Sequence, residues 1–462
     1  MQDCTKFQWE AYNMNHQLIE LGTHVVDCAE ALGANQVEAY LESTKIIEVK
    51  IERGLIRLAA EKQDAGCGIR VALGNQLGIS YVTSILEKDL DQAIRDAIAA
   101  SRASVPDPDF KSFASVRSSY PKISGIFDRQ IDQIGYEQAV EIMKRAVQAS
   151  QEVSGKERNL IVGGFTAESK TRVIVNSHGI NATSCETKAG LEVYSAIGSG
   201  GEQCSSDEIQ GSRRLAAIDP EKVGSQSARY ALELRGAKAI DGGDLPLILS
   251  PRALLAVLRE GFTKALNART IQEGKSYMVD SLGSEIATSE LSIMDTGVQA
   301  YALGSRPFDA EGFPSQNTQL VGSGILKSYL HDSYSSAKDE VDDTGNAARG
   351  SYRVTPSIDI SNLVISPGSS SLDEMISEVS KGVLCTLTLD RPNPITGELS
   401  AMIMEGFFLS KGEIIHPLKS TLFGITMTDL LKRIILIGSD IESRENMISP
   451  SILVESAKIT SG

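Results

Sequence analysis

Imidazole and thiol are the side chains best able to hold a transition metal or to serve as base and nucleophile. The chain carries them at His16, His24, His178, His331 and His416, and at Cys4, Cys28, Cys67, Cys185, Cys204 and Cys385. They are scattered and form no motif. There is no His-Glu-x-x-His pair, no Cys-x-x-Cys and no Gly-x-Ser-x-Gly elbow to expose a serine. Gly274-Lys275-Ser276 ends like a phosphate-binding loop, but Arg269 stands where that loop needs its first glycine. Gly322-Ser323-Gly324 reads as a hairpin turn. Two polar loops are left, 304–312 (GSRPFDAEG) and 343–350 (DTGNAARG). Arg306 and Arg349 offer rigid forks of donors, and Asn346 offers a donor and an acceptor, the two faces of a peptide unit. These three residues are the candidate wall of a peptide cleft; the alternative is that the loops are solvated turns. No catalytic residue and no metal ligand is assigned.

One strand-to-helix stretch organises the elements around such loops. Leu245 to Leu249 reads as a strand, Ser250 as an N-cap and Pro251 as the first helical residue. Leu254, Leu258, Phe262 and Ala265 then make an apolar stripe that predicts a deeply buried helix. That helix has no histidine, no cysteine and a single carboxylate, Glu260.

A second helix is predicted over 15–33, followed by short strands at 37–41, 46–51, 66–73 and 78–84 and a helix on Leu90, Ala93, Ile94, Ala97 and Ile98. Residues 102–124, rich in Pro and Ser, read as an exposed connector. The pattern then repeats: a helix over 136–150, strands at 158–165, 171–176, 180–186 and 189–197, and a helix capped at Asp219-Pro220. Helix, strands, helix, twice over, suggests internal duplication. Beyond a Gly-Asp break at 241–244 come strand runs at 297–303, 318–329, 363–365, 382–389, 399–409 and 413–415, with helices at 371–381 and 427–437. The fold class is therefore α+β: an N-terminal antiparallel sheet-and-helix unit (14–125), a similar second unit (126–240) and a strand-rich C-terminal domain (241–462).

Composition narrows the function. With 45 Lys and Arg against 60 Asp and Glu, the net charge of −15 argues against nucleic acid as a partner. No apolar run approaches the length of a membrane span, and the first 17 residues lack the apolar core of a signal peptide. Unpaired cysteines suit a cytoplasmic protein, in which the sequon Asn181-Ala182-Thr183 is a chance match.

A series of short pieces runs in order over 245–445: Leu-Ile-Leu-Ser-Pro before the helix, Asp280-Ser281-Leu282-Gly283, Gly304-Ser305-Arg306-Pro307-Phe308-Asp309, Asp332-Ser333-Tyr334-Ser335, Thr344-Gly345-Asn346-Ala347, Thr396-Gly397-Glu398 and Asp440-Ile441-Glu442-Ser443-Arg444. In these the chain resembles the TldD/PmbA family, also called modulators of DNA gyrase, and specifically its PmbA (TldE) branch. The resemblance implies an intracellular zinc metallopeptidase of two related subunits. In the TldD branch the buried helix carries His-Glu-x-x-x-His, and a later cysteine completes the zinc site. Laid on this chain, the two histidine positions fall near Val257 and Phe262 and the glutamate near Leu258, all apolar. Cys385 does not match the cysteine motif, and His416 reads as a turn residue after a strand. The chain thus resembles the subunit without the metal. It is expected to bind no cofactor itself, to pair with a TldD-like chain that holds zinc, and to act on unfolded or small peptides. The competing reading is a self-associating homodimer that binds peptides without cutting them; a hydrolase with some other nucleophile finds no support in the scattered His and Cys.

Overall fold

The structure is a computed structural model describing residues 2–115 and 119–461, with side chains from His16 onward. The sequence readings for the first 15 residues, Cys4 among them, fall outside the described side chains.

The N-terminal half is helix, three strands, helix, repeated. α1 (Gln2–Ala31), β1 (Gln36–Glu52), β2 (Leu55–Leu73), β3 (Gln76–Val82) and α2 (Glu87–Ala103) form the first unit. After a short α3 (Arg129–Gln133) come α4 (Tyr136–Ser154), β4 (Asn159–Asn176), β5 (Asn181–Ile197), β6 (Cys204–Ser212) and α5 (Pro220–Glu233). The units share one antiparallel sheet in the order β3-β2-β1-β4-β5-β6, joined where β1 pairs with β4. The strands are longer than predicted. Residues 42–45 and 166–170 continue β1 and β4 because each lies hydrogen-bonded between two neighbours, which overrides the weak local strand signal of Glu, Ser and Lys.

Alternation along β1 decides how the halves meet. Val37, Ala39, Leu41, Ile47, Val49 and Ile51 lie under the helices. The even positions face the other way, and there Tyr40 packs with Phe308, Ala347 and Tyr352 of the C-terminal domain. Two glycines of β2 allow that approach: a Cβ on Gly66 would lie 2.3 Å from the Tyr352 ring, and one on Gly68 would lie 2.2 Å from the Tyr352 carbonyl oxygen. The connector after α2 is not simply exposed either. Phe110, Phe113 and Ala114 are buried, the two rings edge to face at 5.3 Å; residues 116–118 lie outside the described residues.

In the C-terminal half, β7 (Gly243–Leu249) leads into the central helix, which begins as α6 (Pro251–Leu254) under the Ser250 cap, widens into a π turn over Leu255–Phe262 and ends as α7 (Thr263–Ala265). Then follow α8 (Ala268–Gln272), β8 (Ile293–Thr296), β9 (Asn317–Gly322), β10 (Ile325–Leu326), α9 (Ser333–Asp339), β11 (Ala347–Ala348), β12 (Ser357–Ile358), β13 (Leu363–Ile365) and α10 (Leu372–Glu378). The chain closes with β14 (Lys381–Leu387), β15 (Glu398–Met402), β16 (Glu405–Ser410), β17 (Glu413–Pro417), β18 (Thr421–Thr426), α11 (Met427–Lys432), β19 (Ile434–Ile437), β20 (Glu442–Arg444), β21 (Met447–Ser449) and β22 (Ile452–Ser461). Two mixed sheets result, β10-β9-β8-β13-β21-β20 and β15-β18-β22-β7-β14-β16-β17, with β19 added to β22.

The central helix is sandwiched between these sheets. Leu254, Val257, Leu258, Phe262 and Ala265 pack with Leu247 and Val383 on one side and Ile293, Val321 and Leu363 on the other. Ile248 points to the opposite face of β7, under Met375 and Ile376 of α10, so β7 is buried on both faces. Three sequence readings are corrected. Residues 297–303 form turns, not a strand; 434–437 is β19, where the run Ile-Ile-Leu-Ile pairs with β22 and does not extend a helix; and His416 lies within β17, stacked on Phe408 at 5.4 Å, and not in a turn.

Phe262, fully buried in the central core, sets a test of this packing. Phe262→Ala is expected to cost about 3–5 kcal/mol, whereas Met402→Ser at a 47% exposed position should stay within about 0.5 kcal/mol. Urea unfolding of both variants checks this; equal midpoints would contradict a buried helix.

Candidate functional site

A cleft of about 460 Å³ runs along an open side of the central helix. The helix presents Arg252, Leu255, Ala256 and Glu260 to it; Leu389 and Arg391 after β14 and Ile209 of β6 form the walls. The cleft therefore lies between the second N-terminal unit and the C-terminal domain. Val257, Leu258 and Phe262 do not border it. Each is at most 1% exposed and turned into the core, so the zinc-helix positions carried over from the family resemblance point away from the open side.

Arginine–carboxylate pairs line the cleft. Arg252 bonds the Glu405 carboxylate at 2.7 Å and the Asp207 carbonyl at 3.0 Å, and its guanidinium lies 4.7 Å from the Tyr230 ring centre. Glu260 is paired with Arg259 and, at 3.3 Å, with Arg391. Arg444 pairs with Glu208 at 2.5 Å and Glu442 at 2.9 Å. Cys385 is close in sequence to the wall but fully buried, and burial pushes its thiol far above the usual range, so it offers no thiolate. These donors do not fit zinc: Asp207 and Glu260 are paired with arginines, Glu445 adds only a single exposed carboxylate, and no imidazole or available thiol lies among the lining residues. Among the described residues, one group of three His, Cys, Asp or Glu side chains comes close enough to share an ion, and it lies elsewhere, on α1 and α2.

None of the three candidate cleft residues lines an open wall: Arg306 and Arg349 lie between the domains, and Asn346 is bonded inside the C-terminal domain. Asn346 is fully buried; its amide donates to Asp295 Oδ2 at 2.6 Å and the Asp359 carbonyl at 3.0 Å. The Arg349 side chain is 1% exposed, bonded to Glu38 of β1, with its guanidinium 4.7 Å from the Tyr40 ring centre. Arg306 donates to the Ala347 carbonyl at 3.0 Å and borders a recess of about 150 Å³ beside Arg172, Glu186 and Arg213. Neither Asn346 nor Arg349 walls the cleft on the central helix. The expected open peptide wall is thus replaced by a buried contact, since both loops lie against the charged face of the N-terminal sheet.

Sequence reasoning missed the acids that knit these loops. Asp309 accepts the backbone N–H groups of Glu311 and Phe313 at 2.9 Å and of Ala347 at 3.1 Å. Asp295 accepts from Asn346 and from the Ser361 N–H at 2.8 Å. Burial pushes Asp295 up to about 6 despite those donors. Burial and the Glu311 carboxylate push Asp309 up, and burial with the Asp309 carboxylate pushes Asp343 well up. On the sheet side, Arg172 and Arg213 outweigh burial and hold Glu186 down at about 2. Asp309-Ala310 and Asp343-Thr344-Gly345 read locally as turn formers, and nothing in the one-dimensional pattern marks these acids as buried.

With this geometry in view, comparison with known proteins gives a uniform result. Residues 37–101 match the PmbA/TldA metallopeptidase domain 1, residues 129–235 the central domain and residues 242–461 the C-terminal domain of that family. The chain is 24% identical to the metalloprotease PmbA of Escherichia coli O157:H7 over 437 residues, 91% of each protein. A Thermotoga maritima crystal structure described as a modulator of a DNA gyrase superposes with a TM-score of 0.86 at 23% identity, covering 96% of this chain and 99% of that one. TldE from Thermococcus kodakarensis superposes with a TM-score of 0.83 at 20% identity, covering 97% and 99%. At these identities the two structures show a shared fold and no more.

Two outcomes follow from the buried polar contact. Arg349→Ala leaves Glu38 buried with Arg70 as its remaining cation and is expected to cost about 3–5 kcal/mol; an unchanged melting temperature would return Arg349 to the surface. Asp295 has its folded pKa raised from 3.8 to about 6. Its contribution to stability is therefore full below about pH 4 and lost as pH rises through about 6, a loss on the order of 2–3 kcal/mol. Urea midpoints at about pH 4.5 and 7.5 should fall less for Asp295→Asn than for the unaltered chain, and equal falls would refute the assignment.

Proposed function

The chain belongs to the PmbA/TldA metallopeptidase family, and from that premise we propose that it is a non-catalytic subunit pairing with a zinc-bearing, TldD-like chain. The assembled peptidase would act on unfolded or small peptides in the cytoplasm. One observation carries this reading. Zinc hydrolysis needs about three nitrogen, sulfur or oxygen ligands and an open position for water, and the helix face along the cleft offers Arg252, Leu255, Ala256 and Glu260 instead. The only carboxylate there is already in ion pairs. What the cleft does supply is shape: apolar Leu255, Ile209 and Leu389 between fixed charges, suited to positioning an extended peptide by packing. No helix among the described residues is long and apolar enough to cross a membrane.

A second reading, self-pairing into a homodimer that binds peptides without cutting them, is favoured by the free edge of β2. That strand pairs with β3 only from Cys67 to Leu73, which leaves residues 55–66 with β1 as their one ladder partner.

The two readings separate in one set of measurements. The chain alone is expected to show no chelator-sensitive peptide cleavage, and mixing it with the matching zinc-bearing subunit should give a hetero-complex by size exclusion that cleaves an unfolded peptide. Leu389→Glu, at a 63% exposed position, should lower that cleavage roughly tenfold without shifting the melting temperature. Chelator-sensitive cleavage by the chain alone, or a stable homodimer that ignores the zinc subunit, would overturn the proposal.

A further inference from the structure

On the helix layer of the first unit, away from the C-terminal domain, three ligand-type side chains converge. His24 and Cys28 are one helical turn apart on α1, and Asp91 comes from the first turns of α2. His24 Nε2 is 2.9 Å from Asp91 Oδ1, and Cys28 Sγ is 3.6 Å from His24 Nδ1 and 3.7 Å from Nε2. All three ligand atoms lie within 4.8 Å of one another. We propose that His24, Cys28 and Asp91 form a binding site for a borderline divalent transition-metal ion of the zinc and cobalt class, which clamps α1 to α2.

Geometry, charge and donor chemistry agree on this. A tetrahedral ion with bonds of about 2.0 Å to nitrogen or oxygen and about 2.3 Å to sulfur holds its ligand atoms about 3.3–3.6 Å apart. The observed separations bracket that range, so small rotamer adjustments seat an ion without moving either helix. The spacing is also what one helix needs to aim two ligands at one point, since residues four apart share a face. The carboxylates of Asp91, Asp27 and Glu87 all act on Cys28 electrostatically. The same three negative charges favour a cation in that place. On metal uptake the neutral imidazole gives the lone pair of Nε2, Asp91 gives a carboxylate oxygen, and the thiol proton leaves to solvent as the sulfur–metal bond forms. Mixed sulfur, nitrogen and oxygen donors select zinc or cobalt over magnesium or calcium, which take oxygen alone. His24 and Asp91 are 31% and 41% exposed at the side chain, leaving a fourth position open to water. The site is independent of the cleft: α1 and α2 cover the opposite face of the sheet from the one that meets the C-terminal loops.

The test is a titration of the chelator-treated full chain with cobalt under reducing conditions, read by absorption, with zinc added last. One equivalent of cobalt should bind with a thiolate-to-cobalt charge-transfer band that zinc abolishes. Cys28→Ser and His24→Gln should each remove the band and weaken uptake about 100-fold, and Asp91→Asn should weaken it about tenfold. Circular dichroism unchanged from the parent keeps the comparison valid. Absence of saturable uptake, or a charge-transfer band that survives Cys28→Ser, would overturn the site. Neither result bears on whether the central helix is catalytic, because peptide cleavage is not the readout.

Discussion

The architecture depends on charges buried between the N-terminal sheet and the C-terminal loops. Glu38 on β1 and Glu311 in the loop before β9 are both bonded by Arg70 of β2, at 2.5 and 2.8 Å, and Arg349 closes the set by bonding Glu38 from the C-terminal side. Glu311 also accepts from the Ser333 N–H and hydroxyl at 3.0 and 2.6 Å, which anchors the start of α9. A second group works beside it: Arg213 of the N-terminal half bonds the carbonyls of Leu303 and Ser305, at 2.5 and 3.1 Å, while Arg172 holds Glu186. Each ion taken from water is costly alone and tolerable only when all its partners are in place. The halves can therefore dock in one registration, and a slip of one residue along β1 would turn its carboxylates toward the helices. The cleft inherits that precision, because its walls come from both halves.

This dependence explains which features could be read in advance. Caps and stripes are local, so the helices begin where Ser250 and Asp219 indicate, with Ser250 accepting from the Ala253 N–H and Asp219 from the Lys222 N–H. The buried central helix was legible for the same reason, since its apolar positions repeat at helical spacing. The strands were legible in kind but not in length, because what carries β1 through Glu42 to Lys45 is pairing with β2 and β4, residues distant in sequence. The charged positions were the least legible. Glu38 alternates with valine and alanine as a solvated residue would, and Asn346 and Arg349 sit in a loop of turn formers. Glu38 and Arg349 are buried because the surface opposite each is another domain's polar face, and Asn346 because it bonds Asp295 and Asp359 of its own domain. One-dimensional alternation reports that two faces differ; it does not report what each face meets.

The central helix holds the last link between backbone and chemistry. In an α-helix, residues five apart are rotated by about 140° and look in different directions. The motif that the resemblance implies for the catalytic branch has its two histidines at that spacing, so an ordinary helix would send them to different sides. Here the segment from Leu255 to Phe262 is a π turn, with the Thr263 N–H bonded to the Leu258 carbonyl five residues back. That winding brings residues five apart nearly above one another. Leu255 and Glu260 are such a pair, and both border the cleft. Gly261 fits beneath the opposite wall, where a Cβ would lie 2.3 Å from Pro392 Cδ. The π turn thus sets residues five apart on one side, and along the cleft that side carries a leucine and an arginine-paired glutamate. Val257 and Phe262, also five apart, share a direction for the same reason, but theirs is the core. A register judged from sequence matching alone cannot separate these two pairs, because both satisfy the spacing; only the position of the cleft distinguishes them.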